Sequence, residues 1–147
     1  EQSSGRIAFM QGAYESSVRD LREMHEAGVR IMAGSDVAVI NIFPGASLFD
    51  ELELFVTELG MTPLQALHSA TRSPAQWLGL IDTVGTIESG KVADLVLLNS
   101  DPLQDINNAR DIFGVVVKGR LYDPADLDAL LDAVDAMPDQ SVNDWLR

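Results

Sequence analysis

The chain contains no cysteine. That excludes disulfides and thiolate metal sites, and it leaves the redox compartment open. Histidine is scarce, with two in 147 residues, and no second cluster of metal-ligating side chains accompanies them. Positive charge is also scarce: 10 Lys and Arg stand against 23 Asp and Glu, a net charge of −13. A nucleic-acid partner needs a basic face to displace counterions, and none is encoded. An acidic membrane surface would repel the chain, and the charge reads as a device for solubility. No apolar run approaches the roughly 20 residues needed to cross a bilayer. The N-terminus lacks a basic segment followed by an apolar one, so no signal peptide is predicted. A cytoplasmic location is the default expectation. The first residues, Glu1-Gln2-Ser3-Ser4-Gly5, carry no initiator Met and read as the middle of a longer chain or an artificial junction.

What is present is globular in character. Apolar residues make up 46% and charged residues 22% of the chain, a length that suits one ordinary domain. The most telling stretch is Val29-Arg30-Ile31-Met32-Ala33-Gly34-Ser35-Asp36. An apolar run ends in a carboxylate, as where an α/β barrel presents a catalytic acid at the C-terminal mouth of a buried strand; from position alone, an Asp that merely caps or turns the chain at a strand end fits equally well. The spacing predicts a helix over Ala13 to Ala27, stopped by Gly28, then a strand over Val29 to Ala33. Residues Val37 to Ala46 follow as a loop turned by Pro44-Gly45. Ser47 is expected to cap the next helix, with Asp50 completing an approximate capping box and Leu48, Leu52, Phe55 and Val56 as its buried stripe. Thr62-Pro63 and Ser73-Pro74 each carry a cap-plus-proline signal for a helix start.

After Leu80 the pattern changes. Strands are expected at Asp94 to Leu98, Ile112 to Val117 and Arg120 to Tyr122, and the chain turns helical and acidic from Pro124. Leu127, Leu130, Leu131 and Val134 make that last helix amphipathic. Three units are expected: helices and a last barrel strand over 1–80, a small sheet over 81–123 and an acidic helical segment over 124–147.

Several runs together resemble the C-terminal portion of the amidohydrolase superfamily. They are Ala33-Gly34-Ser35-Asp36, Ser47 to Leu54, Gly60 to Leu67, Ala70 to Ala75, Leu78-Gly79-Leu80, Gly85 to Val96 and Asp101-Pro102-Leu103. The chain is most similar to the imidazolonepropionase-like and prolidase-like branch, over residues 13 to 122, and it is the order of the motifs that makes the match specific. The resemblance implies an α/β fold: the last part of a (β/α)8 TIM barrel plus part of a small β-sandwich. It implies hydrolysis of C–N bonds in small amides, cyclic amides or dipeptides by a metal-activated water. The divalent metal, zinc first among candidates, sits at the barrel mouth in that family. Of its ligands only one matches here, Asp36, which would bind metal and take a proton from the attacking water. Relatives often carry His where this chain has Phe49, which can neither ligate nor relay a proton.

Other candidates read more plainly as structure. His25, late in a helix, gains from the helix dipole. His68 has no ligand partner at helical spacing. Gly85 to Lys91 matches most of a phosphate-binding loop, but Val92 replaces the hydroxyl and a strand follows instead of a helix. Asp50, Glu51 and Glu53 suit the first turns of a helix, and the acidic run from Asp123 to Asp139 suits a solvated helix face. A segment with so few of the ligands is expected to be inactive by itself. Its unpaired strand edges predict a homo-oligomer or docking on a missing N-terminal segment. The alternative is a non-catalytic assembly module or gene remnant.

Overall fold

A computed structural model of the chain describes residues 2–36 and 45–136, with side chains from residue 5 onward. The helix α1, Gln2–Glu26, begins well before the expected Ala13. Its early residues lack a clean apolar stripe, which hid them from a periodicity reading. Its end is as expected. Gly28 takes a φ of 83°, and the amides of Gly28 and Val29 return to the carbonyls of His25 and Met24. That left-handed closure favours glycine.

The segment Val29–Ala33 is not a strand of any sheet. This corrects the expectation, and the reason is simple. A strand exists by its ladder, and no neighbouring strand pairs with this segment among the described residues. The chain still runs with a two-residue alternation. Ile31, Ala33 and Ser35 are half-buried, and Met32, Gly34 and Asp36 are exposed.

Helix α2, Ala46–Thr57, starts at Gly45 with no side-chain cap, so the expected Ser47–Asp50 capping box does not form. Ser47 lies inside the helix and is buried. Helix α3, Pro63–Ala70, opens as expected: Thr62 accepts from the Gln65 amide, and the Gln65 side chain accepts from the Thr62 amide. Helix α4, Arg72–Trp77, begins two residues before Pro74, with Thr71 in place of Ser73 at its cap position.

The core lies between α2, α3 and a short 3-10 turn, Ile106–Arg110. Leu52, Phe55, Leu59, Met61, Ala66 and Ile106 are buried together, and Ile31 and Ala33 pack against them. Burial of a side chain of this size contributes roughly 1.5–3 kcal/mol. Val29–Ala33 is thus held by packing where a ladder was expected.

The second half is an antiparallel sheet in the order β1-β2-β3. Strand β1 is Leu95–Leu98, β2 is Ile112–Val117 and β3 is Arg120–Tyr122. Leu95 pairs with Val116 and Val115 with Tyr122, with a register shift between Leu97 and Leu98. Helix α5, Pro124–Asp135, is closed at its start by a reciprocal pair between Asp123 and Asp126. Its leucine stripe is largely uncovered, with Leu131 66% exposed. No helix among the described residues is long and apolar enough to cross a membrane.

Candidate active site

Asp36 stands at the end of an extended segment that belongs to no sheet among the described residues, where the mouth of a barrel strand was expected. It is exposed, and its φ of 48° lies in the left-handed region. Among residues with a side chain, Asp and Asn enter that region most readily, at a cost of about 1–2 kcal/mol. No hydrogen bond or ion pair reaches its carboxylate among the described residues. The resemblance also leads one to expect Val37 to Gly45 to line the substrate entrance, and all of that loop but Gly45 lies outside the described residues.

Two consecutive amides just before Asp36 are tied to two different helices. The Ala33 N–H donates to the Ser69 carbonyl of α3 at 3.0 Å. The Gly34 N–H donates to both carboxylate oxygens of Glu51 on α2, 3.0 Å to each. Sequence reasoning treated Glu51 as one more dipole-suited acid. The missed signal is its row: Ser47, Glu51 and Phe55 lie four residues apart, and the outer two are buried. A carboxylate in a buried row wants a donor.

The neighbouring acids have another partner. Arg110 donates to Asp50 at 2.6 Å and lies 3.5 Å from Glu53, and its guanidinium sits 5.6 Å from the centre of the Phe49 ring. So Phe49 serves here as a platform for a cation. These contacts tie α2 to the 3-10 turn.

The two histidines lie elsewhere. His25 and His68 line one shallow cleft with Val29, Arg30, Ile31 and Gln65. That cleft is at the beginning of the extended segment, whereas Asp36 is at its end. The loop with the partial phosphate-binding pattern is closed on itself. Lys91 donates to the Ile81 carbonyl at 2.5 Å and also to Thr86, and it lies 3.3 Å from Glu88. The lysine that would meet a phosphate is spent inside its own turn. The Thr86 hydroxyl, and then Lys91, hold the exposed Glu88 carboxyl below its ordinary value.

A divalent metal of the amidohydrolase type needs three or more protein donors. Among the described residues no group of three His, Asp or Glu side chains is placed to hold one. Asp36 brings a single carboxylate, so the residues present do not fit a complete metal centre.

The comparisons with known proteins agree with the order of the motifs. The amidohydrolase family matches residues 6–122. An imidazolonepropionase of Thermoplasma volcanium is 34% identical over 94 residues, covering 64% of this chain and 23% of that protein. Ochratoxinase of Aspergillus niger is 33% identical over 100 residues, covering 67% of this chain and 20% of that protein. The solved structure of a molinate hydrolase superposes with a TM-score of 0.68 at 30% identity, over 82% of this chain and 29% of the other. The crystal structure of the A. niger ochratoxinase gives a TM-score of 0.67 at 29% identity, over 79% and 26%. The chain thus spans between a fifth and a third of the length of these relatives. A family match that runs through the Asp36 segment, the core helices and the three strands makes the assignment: the chain belongs to the amidohydrolase family.

Proposed function

We propose that this chain supplies the aspartate-bearing corner of a hydrolase that cleaves C–N bonds in small amides, cyclic amides or dipeptides. The observation that carries the reading is Asp36: an exposed carboxylate, on a backbone conformation that costs energy, at the end of a segment anchored on two sides. In this role its carboxylate accepts a proton from the attacking water as the oxygen bonds to the acyl carbon. The C–N bond then breaks, and the departing nitrogen takes up a proton. The same carboxylate is the donor that this chain would bring to a divalent metal, zinc first. The other donors would come from outside the described residues. The three-stranded sheet is read as part of a small β-sandwich.

Three substrates make the panel for a test: ochratoxin and molinate, after the two relatives above, and an Xaa-Pro dipeptide, after a solved Xaa-Pro dipeptidase that is 34% identical over 72% of this chain and 25% of its own, with a TM-score of 0.64. The assay uses the gene product that carries these 147 residues, supplied with divalent metal, beside Asp36→Asn. Hydrolysis of a panel member that falls about a thousandfold in Asp36→Asn is the expected result, from loss of a proton acceptor. Undiminished hydrolysis in the variant removes Asp36 from the chemistry. The second reading, an assembly module without catalysis, draws on the uncovered apolar side chains Phe9, Trp77 and Leu131. Hydrolysis that depends on Asp36 decides against it.

A further inference from the structure

Three carboxylates sit in the first turns of α2, and two of them, Asp50 and Glu53, face Arg110. Glu51 is turned the other way, half-buried between Ser47 and Phe55, with both oxygens on one backbone amide. That amide belongs to Gly34, two residues before Asp36. We propose that Glu51 is a positioning residue for Asp36. By taking the Gly34 N–H, it fixes the end of the extended segment so that Asp36 is held in its left-handed backbone and its carboxylate meets the substrate in one place. The inference rests on the reading of Asp36 as the proton acceptor.

The physical case has three parts. A strand inside a sheet is held by its ladder, and this segment has none among the described residues, so side-chain and carbonyl anchors do the work. The Ser69 carbonyl holds Ala33 from α3, and Glu51 holds Gly34 from α2. An ionised acceptor makes the stronger kind of bond. Second, Asp36 lies in the left-handed region, which an Asp adopts at a cost of about 1–2 kcal/mol, so how the chain before it is held bears on whether it stays there. Gly34 is the nearest anchored residue on the described side of it. Third, Ser35 alone separates Gly34 from Asp36, so the anchor lies within two residues of the acid along the chain. A displacement of about 1 Å at a reacting group costs on the order of a hundredfold in rate.

The test joins NMR with kinetics, both on the gene product that carries these residues. In Glu51→Ala, the Gly34 amide should exchange about tenfold faster or more, while the amides of the buried core keep their rates. The Asp36 Cα and Cβ shifts should leave the values of a left-handed backbone. With an Xaa-Pro dipeptide as substrate, kcat should fall about a hundredfold with KM within about threefold, the pattern of lost transition-state alignment. Glu51→Gln keeps an acceptor of equal reach and should retain the Asp36 shifts and most of kcat. Glu53→Gln, on the same helix but facing Arg110, should change neither. Should Glu51→Ala not fold, Glu51→Asp carries the test: its arm is one methylene shorter, and it should move the Asp36 shifts and lower kcat. Asp36 shifts that stay fixed in a folded Glu51→Ala or Glu51→Asp protein overturn the inference, and so does an unchanged kcat. Full activity in Asp36→Asn overturns the hydrolase reading instead and leaves the NMR result standing, so the two failures are distinguishable.

Discussion

Asp36 and Glu51 show the limits of legibility at the scale of single residues. Asp36 was visible because a polar acid closes an apolar run, a change that needs no tertiary information. Glu51 was not, because its donor lies 17 residues away and belongs to the backbone. Lys91 was legible in the negative: the missing hydroxyl at Val92 argued against a phosphate, and the structure spends the ammonium on Ile81 and Thr86. That turn gives a pH prediction. The Glu88 carboxyl is held below its ordinary 4.5, first by Thr86 and then by Lys91. Its contribution is therefore complete above that ordinary value and is lost as pH falls through the lower folded value. Thr86→Val should raise the Glu88 midpoint in an NMR titration, and an unmoved midpoint would show that the hydroxyl is not the cause. Gly85 gives a steric one. Its φ is 89°, and an added Cβ would lie 2.4 Å from the Cβ of the buried Ala75. Gly85→Ala should cost about 2–3 kcal/mol in a denaturant melt, from backbone strain plus overpacking. A loss under about 0.5 kcal/mol would contradict the contact, since only surface positions are that tolerant.

At the scale of elements, local chemistry was legible and pairing was not. The runs Ile112 to Val117 and Arg120 to Tyr122 became strands over the expected residues, because alternating, β-branched stretches suit a half-buried sheet. Thr62-Pro63 gave a helix start with its cap in place. Ser47 and Ser73 carried the same kind of signal without the outcome. Gly45 and Thr71 occupy the cap positions, and Ser47 is drawn into the buried row of α2. Val29–Ala33 has the composition of a strand, but composition cannot supply a neighbour. Thr62→Ala, which removes one side of the capping box, should lower stability by about 1 kcal/mol. The melt should keep its cooperativity. A broadened transition would mean that α3 does not melt with the core.

At the scale of the whole molecule, much apolar surface lacks cover. Phe9 on α1 is 78% exposed, Trp77 at the end of α4 is 74% exposed and Ile87 is 86% exposed. Together with the edges that β1 and β3 leave unpaired among the described residues, these side chains offer places where a second copy of the chain can meet this one. Light scattering on the purified 147-residue chain should therefore find self-association, and a stable monomer at working concentration would contradict it. Which elements meet across such contacts is not legible from one sequence, because the partner surfaces are not written in it. The family was legible, because several short motifs recur in a fixed order even where no single one is decisive.

The account turns on Asp36 as the group that takes a proton while an amide C–N bond is hydrolysed. The most direct measurement is kcat for an Xaa-Pro dipeptide, compared between the metal-supplied gene product and its Asp36→Asn variant, with equal folding of the two verified by circular dichroism. The predicted result is a loss of about a thousandfold, the scale of a removed general base. Equal kcat in the two proteins would contradict the account.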